Sequence, residues 1–300
     1  MKRKLVLAVL IFPLFVSFQT ASAASVGVSS NWAGYVATSA TFTGVGGSWT
    51  VPQSTGGNAK LSADATWVGI GGVSSSDLIQ AGTQDIIQNG TSTYTAWYEL
   101  LPASSVQVPL AVHPNDGITV SIVQQSNGQW QISFSDITTG QSYQTSVSYA
   151  SSLSSAEWIE EMPSDQRGLV NLDNFGTVSF TDGFTTQNGS QVSISGSGAQ
   201  PMTMITRNDQ ALATPSSFGA DGASFTVTRT DTVASTSTAV RTGRWSRTGV
   251  GVQGYIPIPR TSSPQNTGGF LSSKGRWFGN FQNTERIPLG FFRKVGLRNK

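Results

Sequence analysis

The stretch Ala156-Glu157-Trp158-Ile159-Glu160-Glu161 sets three carboxylates beside a Trp and an Ile, in a 300-residue chain that is only 11% charged. Read as a β-strand, it alternates its side chains. Glu157, Ile159 and Glu161 then share one face, and Trp158 and Glu160 take the other. A carboxyl group beside large apolar groups is partly desolvated, which raises its pKa and suits it to proton transfer in acid. The same pattern also fits an edge strand whose glutamates are simply solvated. What the rest of the chain lacks bears on the choice.

There is no Cys, which removes thiol catalysis, disulfides and thiolate metal sites. His113 is the single His and stands in Val112-His113-Pro114-Asn115-Asp116, a turn sequence, so it is expected on a surface loop. No Gly-x-Ser-x-Gly elbow accompanies it, and a Ser-His-Asp triad has no other base to draw on. One His cannot build a multi-His zinc site, and neither an EF-hand nor a Walker loop occurs, so no metal or cofactor is expected. Gly44-Val45-Gly46-Gly47 lacks the flanking strand and helix of a nucleotide-binding turn. The Asp-Thr-Gly and Asp-Ser-Gly signatures of paired-Asp proteases are missing. If the chain is an enzyme, carboxylates and neutral amides carry its chemistry.

The elements that must position such groups read as strands. Gly, Ser and Thr abound, and no segment sustains a helical period. Asn31-Trp32-Ala33-Gly34-Tyr35 opens the domain, and Pro52 closes a strand over 47–52. In 65–70, Thr66, Val68 and Ile70 oppose Trp67; Gly71-Gly72 turns the chain, and in 78–82 Gln80 opposes Ile79 and Ala81. In 94–100, Thr95, Trp97 and Glu99 share a face. Hairpins follow through Ile118, Val120 and Ile122 and back through Trp130, Ile132 and Phe134. The expected fold is all-β: an antiparallel β-sandwich of two sheets, concanavalin- or lectin-like.

Charge divides the chain in three. Residues 1–23 hold Lys2, Arg3 and Lys4, then an apolar run Leu5–Phe18 broken by Pro13, then Ala21-Ser22-Ala23 as a small-residue cleavage site; they read as a secretory signal peptide. Residues 24–230 carry fourteen acids against four bases, and 231–300 carry eleven bases against two acids. The middle block is the folded domain, whose self-repulsion relaxes as its carboxylates protonate. The last block is expected to be a disordered cationic extension, with no nucleic-acid motif to account for its charge. A secreted monomer is expected, with no membrane insertion once the leader is removed.

Five segments, in order, resemble the motif set of the glutamic peptidases, or eqolisins: Asn31-Trp32-x-Gly34, Trp67-Val68-Gly69-Ile70, Leu78-Ile79-Gln80-x-Gly82, Ala96-Trp97-Tyr98-Glu99 and Ala156-Glu157-Trp158-Ile159-x-Glu161. The resemblance covers about Asn31 to Val227. It implies a two-sheet sandwich, secretion, polypeptide substrates, and endopeptidase activity in acid that pepstatin does not inhibit. By motif match its catalytic Gln and Glu fall on Gln80 and Glu161. Trp32, Trp67, Trp97 and Glu99 fall to substrate binding and support of the site, and Glu157 stands beside the catalytic Glu without a defined chemical role. Glu161 would take a proton from water and return it to the leaving amine, while the Gln80 amide donates to the oxyanion and its carbonyl holds the water. Fungal members usually have Asp where Gly71, Gln84 and Thr95 stand here, and many carry disulfides and a propeptide.

Two other readings fit the residues taken alone. A carbohydrate-active enzyme could use Glu99 and Glu161 as its carboxyl pair, at the separation of about 5–9.5 Å that glycosidases need. A sugar-binding module could use the same Trp residues without chemistry.

Overall fold

The structure is a computed structural model that describes residues 27–56, 59–165 and 168–230. The expected leader (1–23) and basic tail (231–300) lie outside the described residues. In chain order the strands are β1 (Gly27–Ser29), β2 (Trp32–Ala37), β3 (Phe42–Thr50), β4 (Leu61–Gly71), β5 (Leu78–Gln88), β6 (Thr91–Leu100), β7 (Val106–Gln107), β8 (Gly117–Gln124), β9 (Gln129–Asp136) and β10 (Ser142–Ser148). They continue as β11 (Ala156–Glu161), β12 (Ser164–Asp165), β13 (Gly168–Leu169), β14 (Asn171–Leu172), β15 (Thr177–Gln187), β16 (Ser190–Ser193), β17 (Gln200–Ile205), β18 (Ala211–Pro215) and β19 (Phe225–Arg229). Ser195–Ser197 forms a single 3-10 turn.

The strands form a two-layer sandwich. One layer runs β7-β6-β5-β4-β11-β2-β17, and the other β19-β15-β3-β8-β9-β10. β18 pairs with both β17 and β19, so the hydrogen-bonded ladder turns the corner from one layer to the other. Among the described residues, pairing is antiparallel except for β1 on β17 and β14 on β4. Val68, Ile79 and Trp158 of the first layer bury against Val45, Val120 and Phe180 of the second. Burial of this kind is the main force holding a fold together, at roughly 1.5–3 kcal/mol for a fully buried aliphatic or Phe side chain. Two indoles also tie the layers: Trp158 Nε1 donates to the Gly46 carbonyl, and Trp49 Nε1 to Thr83 Oγ1, each at 2.9 Å.

The Gly-rich run at 44–47 lies inside β3 rather than in a loop, and the strand starts at Phe42, five residues earlier than its sequence suggests. Gly lowers strand propensity, so the run reads as a break. Here the missing side chain is required: a Cβ on Gly46 would stand 2.5 Å from Phe184 Cε1, on the strand paired beside it.

β11 is not an edge strand. It lies between β2 and β4, and all six of its residues are buried. Its glutamates are therefore not solvated, and each face of the strand requires its own account.

Candidate active site

On the outer face of the first layer the register aligns three rows across β11, β4, β5 and β6. Glu157, Gly69, Gln80 and Glu99 form the first row. Ile159, Trp67, Gly82 and Trp97 form the second, and Glu161, Ala65, Gln84 and Thr95 the third. β2 extends the third row with Trp32 and the second with Gly34. Trp32, Trp67, Leu78, Trp97, Leu101 and Ile159 make an apolar cluster on this face, separate from the sandwich core. The alternation read from the sequence thus holds: the polar groups stand among aromatics on one sheet face.

Glycine makes two of these approaches possible. Gly34 has φ 145, and a Cβ on it would run into the Trp158 carbonyl of β11. Gly82 lies directly across from Trp67, where a Cβ would come within 2.6 Å of the Trp67 Cβ. Any larger residue at either place would push the strands apart.

Trp67 occupies the centre of the diagonal that joins Gln80 to Glu161. Its indole Nε1 donates to Glu161 Oε2 at 2.8 Å, and its ring meets Trp32 edge to face at 5.1 Å between centroids. Asn31 Nδ2 donates to the other oxygen, Oε1, at 3.0 Å. Burial pushes Glu161 up to about 8. The Trp67 N–H draws it down, the Glu99 carboxyl raises it, and the nearby N–H groups of Trp32 and Asn31 lower it. The Trp32 indole nitrogen acts through proximity, for it has no partner in hydrogen-bond geometry.

Gln80 is wholly buried, and its amide lies 2.6 Å from Glu99 Oε2, with Nε2 as the donor. Burial pushes Glu99 up to about 8, against the Gln80 amide and the Ser105 backbone, which both lower it. Gln80 Oε1, Glu99 Oε1 and the Trp97 indole nitrogen are buried without partners. At this end of the site the Tyr149 hydroxyl donates to the Leu101 carbonyl and accepts from the Leu78 N–H, each at 2.7 Å. It fixes the start of β5 relative to the end of β6.

The structure places Gln80, Glu99, Trp67, Trp97, Trp32 and Glu161 on this one face. Glu157 shares the face but belongs to its far end, where burial raises it well above the ordinary range and the groups that act on it are Ser155 and Asp77. Glu160 points the other way, as its position in the strand predicts, but into the sandwich rather than to solvent. There Thr66 Oγ1 donates to its Oε2 at 2.7 Å. Asn31 went unassigned in the sequence although it opens the first motif beside Trp32; a neutral amide in a turn carries no signal of the carboxylate it will meet 130 residues later. Gln84 and Thr95, which stand where fungal eqolisins usually carry Asp, are joined by a 2.9 Å bond from Nε2 to Oγ1 in the row of Glu161.

A second acidic group was not anticipated. Asp64 and Asp85 face each other across β4 and β5 on the inner side, near Glu160 and Asp173. Ser54 Oγ donates to Asp64 Oδ2 at 2.8 Å. Burial pushes Asp64 up to about 6, Asp85 to about 7 and Asp173 to about 11, with the Asp64 charge adding to the last two. Among the described residues no set of three or more His, Asp or Glu is arranged to hold a metal ion.

Comparison with known proteins shows what the chain is similar to. The Peptidase A4 family matches residues 30–242. Aspergillopepsin-2 of Aspergillus niger is 28% identical over 222 residues, 66% of this chain and 77% of that protein. The crystal structure of scytalido-glutamic peptidase with a transition state analog inhibitor superposes with a TM-score of 0.57 at 27% identity, covering 67% of this chain and 98% of that one. Aspergilloglutamic peptidase from Aspergillus niger gives a TM-score of 0.51 at 29% identity, over 56% of this chain and 99% of that one.

Proposed function

The chain belongs to the Peptidase A4 family and is a glutamic endopeptidase, and we propose that Gln80 and Glu161 carry its chemistry, in acid, outside the cell and without inhibition by pepstatin. The observation that supports this pair most directly is the setting of Glu161. Its two oxygens accept N–H donors from Asn31 and Trp67 on the face that also bears Gln80. These donors fix its lone pairs and favour the ionised form that a general base needs, against the burial that pushes the group up. Trp32, Trp67 and Trp97 cluster around it on the same sheet face, as the apolar walls of a site for an extended polypeptide would.

In the reaction, Glu161 in its ionised form, which the Asn31 and Trp67 donors favour against burial, removes a proton from water as the water oxygen bonds to the scissile carbonyl carbon. The carbonyl oxygen becomes an oxyanion and accepts an N–H from the Gln80 amide. Glu161 then gives its proton to the amide nitrogen, the C–N bond breaks, and a carboxylic acid and an amine leave. An amide donor suits acid, because it neither gains nor loses a proton there, whereas His would. Losing one such donor typically costs about 10²–10³ in turnover.

Secretion is supported by residues 1–23, with their basic start, apolar run and Ala-Ser-Ala end. Among the described residues no helix is long and apolar enough to span a membrane. The test is digestion of a denatured protein between pH 2 and 8, with and without pepstatin, by the wild type and by Glu161→Gln. Cleavage in acid that pepstatin leaves unchanged and that the variant lacks, with its thermal unfolding preserved, is expected. A variant that still cleaves would remove Glu161 from the mechanism.

A further inference from the structure

We propose that Glu99 is a positioning residue that works as a neutral acid: its carboxyl proton is donated to Gln80 Oε1, and the Gln80 Nε2 is thereby turned toward the reacting carbonyl. This rests on the assignment of Gln80 and Glu161 as the reacting pair.

Four observations carry it. Gln80 and Glu99 are direct cross-strand partners on β5 and β6, both wholly buried, so neither can turn to solvent. Their contact is 2.6 Å, short for N–H···O, which centres on 2.9–3.0 Å, and usual for O–H···O. The two ends of a carboxamide fill nearly the same volume, so geometry alone does not say which end meets Glu99. With Nε2 on Glu99, the Gln80 oxygen and Glu99 Oε1 are both buried acceptors without a donor in hydrogen-bond geometry. Turning the amide over and placing one proton on Glu99 gives Gln80 Oε1 an O–H donor at the observed separation and frees both Nε2 hydrogens for an incoming substrate oxygen. Either arrangement makes one hydrogen bond within the pair, so it is the short contact, which fits O–H···O, that favours the turned one.

The surroundings keep the proton on Glu99. The titratable groups that face it are Glu161 on β11 and Tyr149 beyond β10, and no Lys, Arg or His is among the groups that shift it. Glu161 holds two N–H donors, which stabilise its carboxylate, whereas in the turned arrangement the Gln80 amide offers Glu99 none and only the nearby Ser105 backbone favours its ionised form. The first proton to leave the pair therefore comes from Glu161, and the resulting charge holds the second on Glu99. In this arrangement the Gln80 oxygen is occupied by Glu99, so the attacking water belongs to Glu161 alone.

The experiment measures kcat and KM against pH for Glu99→Ala, Glu99→Gln, Gln80→Ala and Glu161→Gln, within the pH range where thermal unfolding shows each variant folded. Gln at 99 offers an N–H where the carboxyl offered O–H, and it does not ionise. Glu99→Ala is expected to lose about 10²-fold in kcat with KM changed less than about threefold, the signature of a transition-state contact. Glu99→Gln is expected to recover turnover to within about tenfold of wild type and to move the alkaline limb of the kcat profile upward. A Glu99→Gln variant as inactive as Glu99→Ala, an unmoved alkaline limb, or full turnover in Glu99→Ala would each overturn the inference while Gln80→Ala and Glu161→Gln stay inactive. Full turnover in Gln80→Ala or Glu161→Gln would instead overturn the reacting pair, and this inference with it.

Discussion

Glu161 accepts two N–H groups, and as the proposed general base it must be ionised to take a proton from water. Both donors favour the carboxylate, and burial opposes them. On that proposal Trp67 does more than pack against Trp32: its N–H keeps the base ionised at lower pH than burial alone would allow. Trp67→Phe keeps most of the ring and removes the donor. The Glu161 pKa should rise, so the acid limb of the kcat profile should move to higher pH, while turnover at the optimum falls far less than in Glu161→Gln. Steady-state profiles of the two proteins check this, and an unmoved acid limb would show that Trp67 only packs. Asn31→Asp should push the same way, because it exchanges a donor to Glu161 for a second negative charge.

β11 is the element on which both faces of the first layer depend. Trp158 and Glu160 serve the sandwich interior, and Ile159 and Glu161 serve the outer face, from one strand of six residues. Trp158→Ala would open a cavity and strand the Gly46 carbonyl, which accepts its indole N–H. A loss of about 3–5 kcal/mol is expected from the cavity, measured by denaturant unfolding in acid. Alternation was readable in the sequence wherever one face meets water, as in β9, where intermediate and buried residues strictly alternate. In β5 it was readable only over 78–82; ten of the eleven residues are buried, and polar Thr83, Gln84 and Asp85 follow one another on alternate faces, so no apolar face stands out beyond Gly82. Alternation had already set Gln80, Glu99 and Glu161 among aromatics, and the five short motifs then assigned them roles. Asp64 and Asp85 escaped notice for the complementary reason. A charged residue in a strand reads as solvent-facing unless the opposite face is known to be covered too.

At the scale of the whole molecule, nine of the fourteen acids in residues 24–230 are buried. The sequence suggested that the acidic domain loses self-repulsion as pH falls. The larger effect is desolvation, and it acts in the same direction. Asp64, Asp85, Asp173 and Glu160 have folded pKa values above the ordinary range of about 4, so the folded state holds protons that the unfolded state has released. Stability is then fully present below about pH 4 and declines as pH rises through the folded values, by roughly 1.4 kcal/mol per pH unit for each group between its two pKa values. Thermal unfolding followed from pH 3 to 8 should show a midpoint that falls with pH, and Glu160→Gln should flatten the fall. A midpoint that rises toward neutrality would contradict the placement of these four carboxyls.

The ladder that turns the corner through β18 ends in strands of two kinds. One terminal strand, β7, is two residues long; the other, β10, exposes Ser142, Gln144, Ser146 and Ser148 along its length. Neither offers the long, flat, apolar border that recruits a strand from a second molecule. A chain without cysteine, and so without disulfide cross-links, is thereby guarded at its described margins against the edge-to-edge pairing by which fibrils grow.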